Sequence, residues 1–272
     1  MTREAAVAHW ERSNLVHKVL DALLAAGKDL DRLDVDALTA TDQFHGGGRA
    51  VTDRLAERAG LDRLEPGNSP PRVLDVGGGF GGPARVLAAN YGCVVTTIDL
   101  TPSYVEVARV LTAKVGLQDR VQHLVGDALD LPFDDDEFDV VWTQNTGMNI
   151  ADKATLLSGF HRVLRVGGTF AFQEPMAGPG GPMHFPVMWA DDASSSFLRP
   201  PTEMRDLILR TGFQLQSWDD VSEHMATSGP PPPHSPQYII MGEERLAAVA
   251  AAGQKNLAEG RVVTVHGVFT KV

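Results

Sequence analysis

The run Asp75-Val76-Gly77-Gly78-Gly79-Phe80-Gly81-Gly82 carries the densest chemical signal in the chain. Its glycines free the backbone for a tight turn and for close approach to a ligand. Gly77, Gly79 and Gly82 satisfy G-x-G-x-x-G, the spacing that seats a pyrophosphate on a helix N-terminus. Asp75, Gly77, Gly79 and Gly81 satisfy a second pattern, D-x-G-x-G-x-G, so the loop alone leaves the ligand undecided. Asp99 follows about twenty residues on, where a carboxylate accepts from ribose hydroxyls. Asp127, in Gly126-Asp127-Ala128, adds a third carboxylate. His45, ahead of Gly46 to Gly48, and His184 are the candidate general bases, because imidazole titrates near neutral pH.

These residues need a scaffold that brings them together. From Arg72 onward, short apolar runs alternate with helical patterns. Strands are expected at Arg72 to Val76, Val94 to Ile98, Val121 to Val125, Phe138 to Trp142 and Thr169 to Gln173. Helices are expected between them at Gly82 to Asn90, Ser103 to Val115 and Lys153 to Leu164. Such alternation is the mark of a mainly parallel sheet covered on both faces, whose ligands bind at the carboxyl ends of the strands. The first seventy residues read as helical: Leu15, Val16, Val19, Leu20, Leu23 and Leu24 line one face before Gly27, and a second piece spans Gly48 to Ala59. Pro66 to Pro71 marks the boundary, and Pro230 to Pro233 reads as a stiff connector. A helix from Thr202, a strand from Phe213 to Trp218, a helix from Glu243 to Ala258 and a strand from Val262 to Phe269 complete the expected order.

The D-x-G-x-G-x-G loop resembles the first motif of class I S-adenosylmethionine-dependent methyltransferases. Four motifs in order carry the likeness: the loop, Gly126-Asp127-Ala128, Phe138-Asp139-Val140-Val141-Trp142, and Arg162-Val163-Leu164-Arg165-Val166-Gly167-Gly168. It covers about Val73 to Glu174 well and the remainder loosely. Gly77 to Pro83, Asp99-Leu100-Thr101-Pro102 and Gln144 to Asn149 look most like the small-molecule branch that includes sarcosine and dimethylglycine N-methyltransferases. Gly78 stands where relatives often carry a larger residue, and Val166 where the turn usually has proline.

The resemblance implies an α/β fold of Rossmann-like methyltransferase type, a mainly parallel seven-stranded sheet flanked by helices, with an N-terminal helical lid over residues 1–71. Residues 72–272 would form the methyltransferase domain, with the cofactor core at 72–174 and substrate-side insertions at 175–201 and 220–260. S-adenosylmethionine is the implied cofactor, held by Asp75, Gly77, Gly78, Gly79, Asp99, Leu100, Asp127, Ala128 and Gln144. In the family, an acidic residue at the position of Asp127 accepts from the adenine amino group. Asn145, Met148 and Asn149, beyond the fourth strand, are expected beside the acceptor, with Phe185 and Trp189 in a pocket wall of small-molecule character. The implied reaction is direct in-line methyl transfer to a nitrogen or oxygen, or a carbon, of a small metabolite. A nicotinamide-dependent dehydrogenase is the alternative enzyme, and a non-catalytic methyltransferase-like binding domain the third reading.

Composition bounds the partners. The 272 residues carry 24 Lys plus Arg against 35 Asp plus Glu, a net charge of −11. That disfavours a nucleic-acid backbone and a polybasic membrane anchor. The Asn/Asp-Pro-Pro-Tyr motif of base methylation is replaced by Thr143-Gln144-Asn145-Thr146. The single Cys93, together with an opening that lacks an apolar signal core, predicts a cytoplasmic setting. No metal is expected: the consecutive carboxylates of Asp134 to Glu137 point in different directions and read as a solvated loop.

Overall fold

The computed structural model describes residues 9–63, 69–223 and 234–272. Pro66 to Asn68 of the expected boundary, His224 and the Pro230 to Pro233 connector lie outside them. Strands β1 (Arg72–Val76), β2 (Val94–Asp99), β3 (Val121–Val125), β4 (Phe138–Gln144), β5 (Leu164–Ala177), β6 (Phe213–Asp220) and β7 (Val262–Lys271) form one sheet in the order β3-β2-β1-β4-β5-β7-β6. The first five run parallel, and β7 inserts antiparallel between β5 and β6. A sheet buried on both faces needs apolar side chains pointing both ways along each strand. Adjacent residues accordingly serve opposite cores: Leu74, Val141 and Phe170 face one cluster, Val73, Val140 and Trp142 the other.

Helices among the described residues are α1 (Leu15–Ala25), α2 (Val35–Asp42), α3 (Gly48–Arg58), α4 (Gly82–Asn90), α5 (Pro102–Lys114), α6 (Lys153–Val163), α7 (Pro201–Arg210) and α8 (Pro236–Ala258). Leu157 and Phe160 of α6 and Ile208 of α7 cover one face; Leu55 of α3 and Leu87 of α4 cover the other. Leu15, Val19 and Leu23, the face expected from their spacing, pack with Tyr104 and Leu111 of α5. Helix α8 starts earlier than its periodicity suggested, because a turn capped by Ser235 is joined to the expected limb through Gly242 at φ 73°. Among the described residues no helix is long and apolar enough to cross a membrane.

Candidate active site

A cavity of about 650 Å³ opens at the carboxyl ends of β1 to β4. Its first wall is the glycine loop. Gly77, Gly79 and Gly81 take positive φ of 75°, 54° and 77°, which glycine adopts without strain. The Gly77 N–H donates to the Ile98 carbonyl at 2.8 Å, and the Gly79 N–H to Asp99 Oδ2 at 2.9 Å. Asp99 Oδ1 accepts from the Thr101 N–H at 2.9 Å, so this carboxylate closes the loop onto the end of β2. Burial raises the Asp99 pKa, and the Thr101 and Gly79 amides oppose that shift.

Asp75 sits at 2% exposure, with Oδ2 bonded to nothing else in the protein. Burial and the nearby Asp99 charge push its pKa up to about 7. Leu100, Ala128 and Asp127 also line the cavity, the last accepting from the Leu129 N–H at 2.9 Å. Gly78 lines it as well: a Cβ there would stand 2.7 Å from Thr97 Cβ, so this glycine is matched by a β2 threonine.

Gln144 faces the cavity, but its amide is committed to the wall. Oε1 accepts from Trp142 Nε1 at 3.1 Å and from Thr52 Oγ1 at 3.2 Å. His45 lies beside it, buried, with Nε2 3.0 Å from both Gln43 Oε1 and Thr52 Oγ1 and Nδ1 3.1 Å from the Gly46 carbonyl. Burial lowers its pKa to about 4, which keeps the ring neutral near pH 7. Gly46 lines the cavity, whereas Gly47 and Gly48 are spent on starting α3.

Asn145, Met148 and Asn149, on the turn after β4, line the cavity, as does Trp189. The turn that bears them is clamped: Glu174 Oε1 accepts the Thr146 and Gly147 N–H groups at 2.8 and 2.6 Å. Lys153 Nζ donates to the Gly147 carbonyl at 2.6 Å, and burial lowers its pKa to about 8. Two expectations fail on placement. His184 is outside the cavity, 2.9 Å from Glu259 Oε2, and Phe185 packs in the cluster behind Met148 and Trp189. Residues not anticipated complete the site. Tyr104 lines it with a buried, unpartnered hydroxyl, and Gln173 reaches Gly46 O and Asn145 Oδ1 at 3.2 and 3.1 Å. Leu246, Val249 and Leu257 of α8 form its outer wall, a face that their helical spacing would have announced.

An antiparallel seventh strand beside β5, a glycine loop after β1, a carboxylate ending β2 and another two residues past β3 lie around one cavity. This arrangement is similar to that of the class I S-adenosylmethionine-dependent methyltransferases. The nicotinamide dehydrogenase alternative fits poorly with that last strand, since the dinucleotide fold continues parallel. Residues 74–172 match the family model described as a methyltransferase domain. A glycine/sarcosine/dimethylglycine N-methyltransferase of Actinopolyspora halophila is 33% identical over 176 residues, 64% of this chain and 31% of that protein. A 2-methyl-6-phytyl-1,4-hydroquinone methyltransferase of Synechocystis is 41% identical over 114 residues, 42% of this chain and 34% of that protein. The chain thus spans about a third of the length of these curated relatives. Geranyl diphosphate C-methyltransferase of Streptomyces coelicolor shares the fold with a TM-score of 0.66 at 17% identity, covering 82% of this chain and 79% of that one.

Proposed function

We propose that this protein transfers a methyl group from S-adenosylmethionine to a nitrogen, oxygen or carbon of a small organic molecule. The charge of the cofactor half carries the reading. Asp75, Asp99 and Asp127 face the cavity, and among its described lining residues there is no Lys or Arg. Such a wall attracts a sulfonium and an ammonium and repels the pyrophosphate of a dinucleotide. The unpartnered Asp75 Oδ2 fits an ammonium donor, Asp99 fits ribose hydroxyls, and Asp127 fits an exocyclic amino group. Bound there, the cofactor supplies a methyl already activated by a positive sulfur.

The protein's own work is then alignment and exclusion of water. Asn145, Met148 and Asn149, stiffened by Glu174 and Lys153, would hold the acceptor. His45, neutral and bonded at both ring nitrogens, would fix Gln144 and Gly46 rather than take a proton. Residues 1–71 would cover the site, with 175–201 and 220–260 closing the acceptor side of the 72–272 domain. The single cysteine, Cys93, and the acidic balance favour a cytoplasmic enzyme with no nucleic-acid partner. Calorimetric titration tests this: S-adenosylhomocysteine should bind and NAD should not. Binding of NAD alone would overturn it.

A further inference from the structure

The acceptor half of the cavity has a different chemistry from the cofactor half. On α8, Leu246, Val249, Ala250, Gly253 and Leu257 repeat at three- and four-residue spacing, so an apolar stripe is turned to the cavity, with Gln254 and Asn256 beside it. From Leu246 to Leu257 this stripe runs about 16 Å at the α-helical rise. A Cβ built on Gly253 meets nothing within 4 Å, so the stripe borders open space. Met148, Met183, Met188 and Trp189 form the facing wall. Unbranched thioethers fit apolar ligands of varied outline.

Several polar groups near this half are already used, although Gln254 and Thr264 also line it. Asn149 Nδ2 donates to the Trp189 and Ser195 carbonyls at 2.8 and 2.9 Å. Asn256 bonds the His184 backbone twice, accepting its N–H at 2.8 Å and donating to its carbonyl at 2.9 Å. The neighbouring cations are engaged too: Lys153 with backbone carbonyls, Arg245 with Asp191, and Arg261 with Glu259. A carboxylate or diphosphate entering here would lose its hydration and find no cationic partner among the described lining residues.

Resting on the methyltransferase reading, we infer that the acceptor is an uncharged, lipophilic molecule larger than an amino acid, clasped between the α8 stripe and the methionine wall. Sarcosine-like zwitterions, which the sequence wording suggested, do not suit this half. The motifs behind that wording lie at Gly77 to Asn149, and most of the acceptor wall lies beyond them.

The probe is N-phenyl-1-naphthylamine, a neutral lipophile that fluoresces when buried, titrated into protein saturated with S-adenosylhomocysteine. Micromolar binding is expected, weakened at least tenfold by Val249→Asp and by Met188→Glu, with no displacement by millimolar dimethylglycine. S-adenosylhomocysteine affinity, measured calorimetrically on each variant, must stay near that of the parent, which separates a changed wall from a lost fold. Absence of probe binding, indifference to both substitutions, or displacement by dimethylglycine overturns the inference while leaving the methyltransferase reading intact. Failure of the parent to bind S-adenosylhomocysteine overturns both.

Discussion

Asp42 and Arg85 meet at 2.8 Å with neither side chain exposed, joining the end of α2 to α4, the helix that follows the glycine loop. The guanidinium also donates to the Phe80 carbonyl at 2.6 Å and to Thr112 Oγ1 at 3.1 Å. Burial raises the Asp42 pKa and Arg85 pulls it back, so removing the arginine's partner leaves a buried charge uncompensated. Asp42→Ala is expected to cost about 3–5 kcal/mol of stability. Urea denaturation checks it, and an Asp42→Ala, Arg85→Met double variant should recover part of the loss. Equal stabilities for parent and Asp42→Ala would show that the pair contributes nothing net.

Gly78 and Thr97 are matched in the same region. Alanine at 78 would put its Cβ 2.7 Å from Thr97 Cβ, and Thr97 Oγ1 is held at 2.8 Å from His123 Nδ1. Overpacking of this kind costs about 1–3 kcal/mol. Gly78→Ala should therefore lower both stability and S-adenosylhomocysteine affinity. The two substitutions should be coupled in a double-mutant cycle with Thr97→Gly. Thr97→Ala, which keeps the Cβ at 2.7 Å but removes Cγ2 and Oγ1 at 3.1 and 3.2 Å, should give only partial relief.

The carboxylate-lined part of the cavity was legible because its residues follow local sequence signals. Asp75 to Gly82 is one turn, Asp99 ends β2, and Asp127 stands two residues past β3, each after an apolar run plain in sequence. What could not be read are pairings across the fold: Thr52 with Gln144, Gln173 with Gly46, or Asp42 with Arg85. The apolar part of the cavity joins Met148, Met188 and Val249, about a hundred residues from end to end, and no spacing rule links them. His184 misled because aromatic surroundings suggested a pocket. In the fold Val187 and Trp189 point inward while His184 reaches Glu259.

His123, not anticipated from sequence, bridges Thr97 and Thr112 hydroxyls at 2.8 and 2.7 Å beneath the loop. Burial, aided by Arg85 and Arg109, lowers its pKa from 6.5 to about 3. The unfolded chain thus binds a proton that the fold refuses. Its contribution is complete above 6.5 and is lost as pH falls toward 3, by about 1.4 kcal/mol per unit. Between pH 7 and 5 the stability advantage of the parent over His123→Asn should shrink by about 2 kcal/mol. Denaturation curves at the two pH values decide it; parallel behaviour of parent and variant would show a normal histidine.

Asp75 gives the opposite kind of titration. In the ligand-free site its pKa stands at about 7, because burial and Asp99 disfavour a second negative charge. A cationic ligand favours the ionised carboxylate, so binding below pH 7 must expel a proton. Affinity for S-adenosylmethionine should then rise with pH, approaching tenfold per unit well below pH 7 for one linked proton, and level off above it. Calorimetry in two buffers of different ionisation enthalpy measures the released proton directly. Asp75→Asn has no proton to lose, and should bind more weakly at pH 8 with a flatter pH dependence. A variant that keeps the parent's slope would assign the linked proton to another group and leave Asp75 without the ammonium.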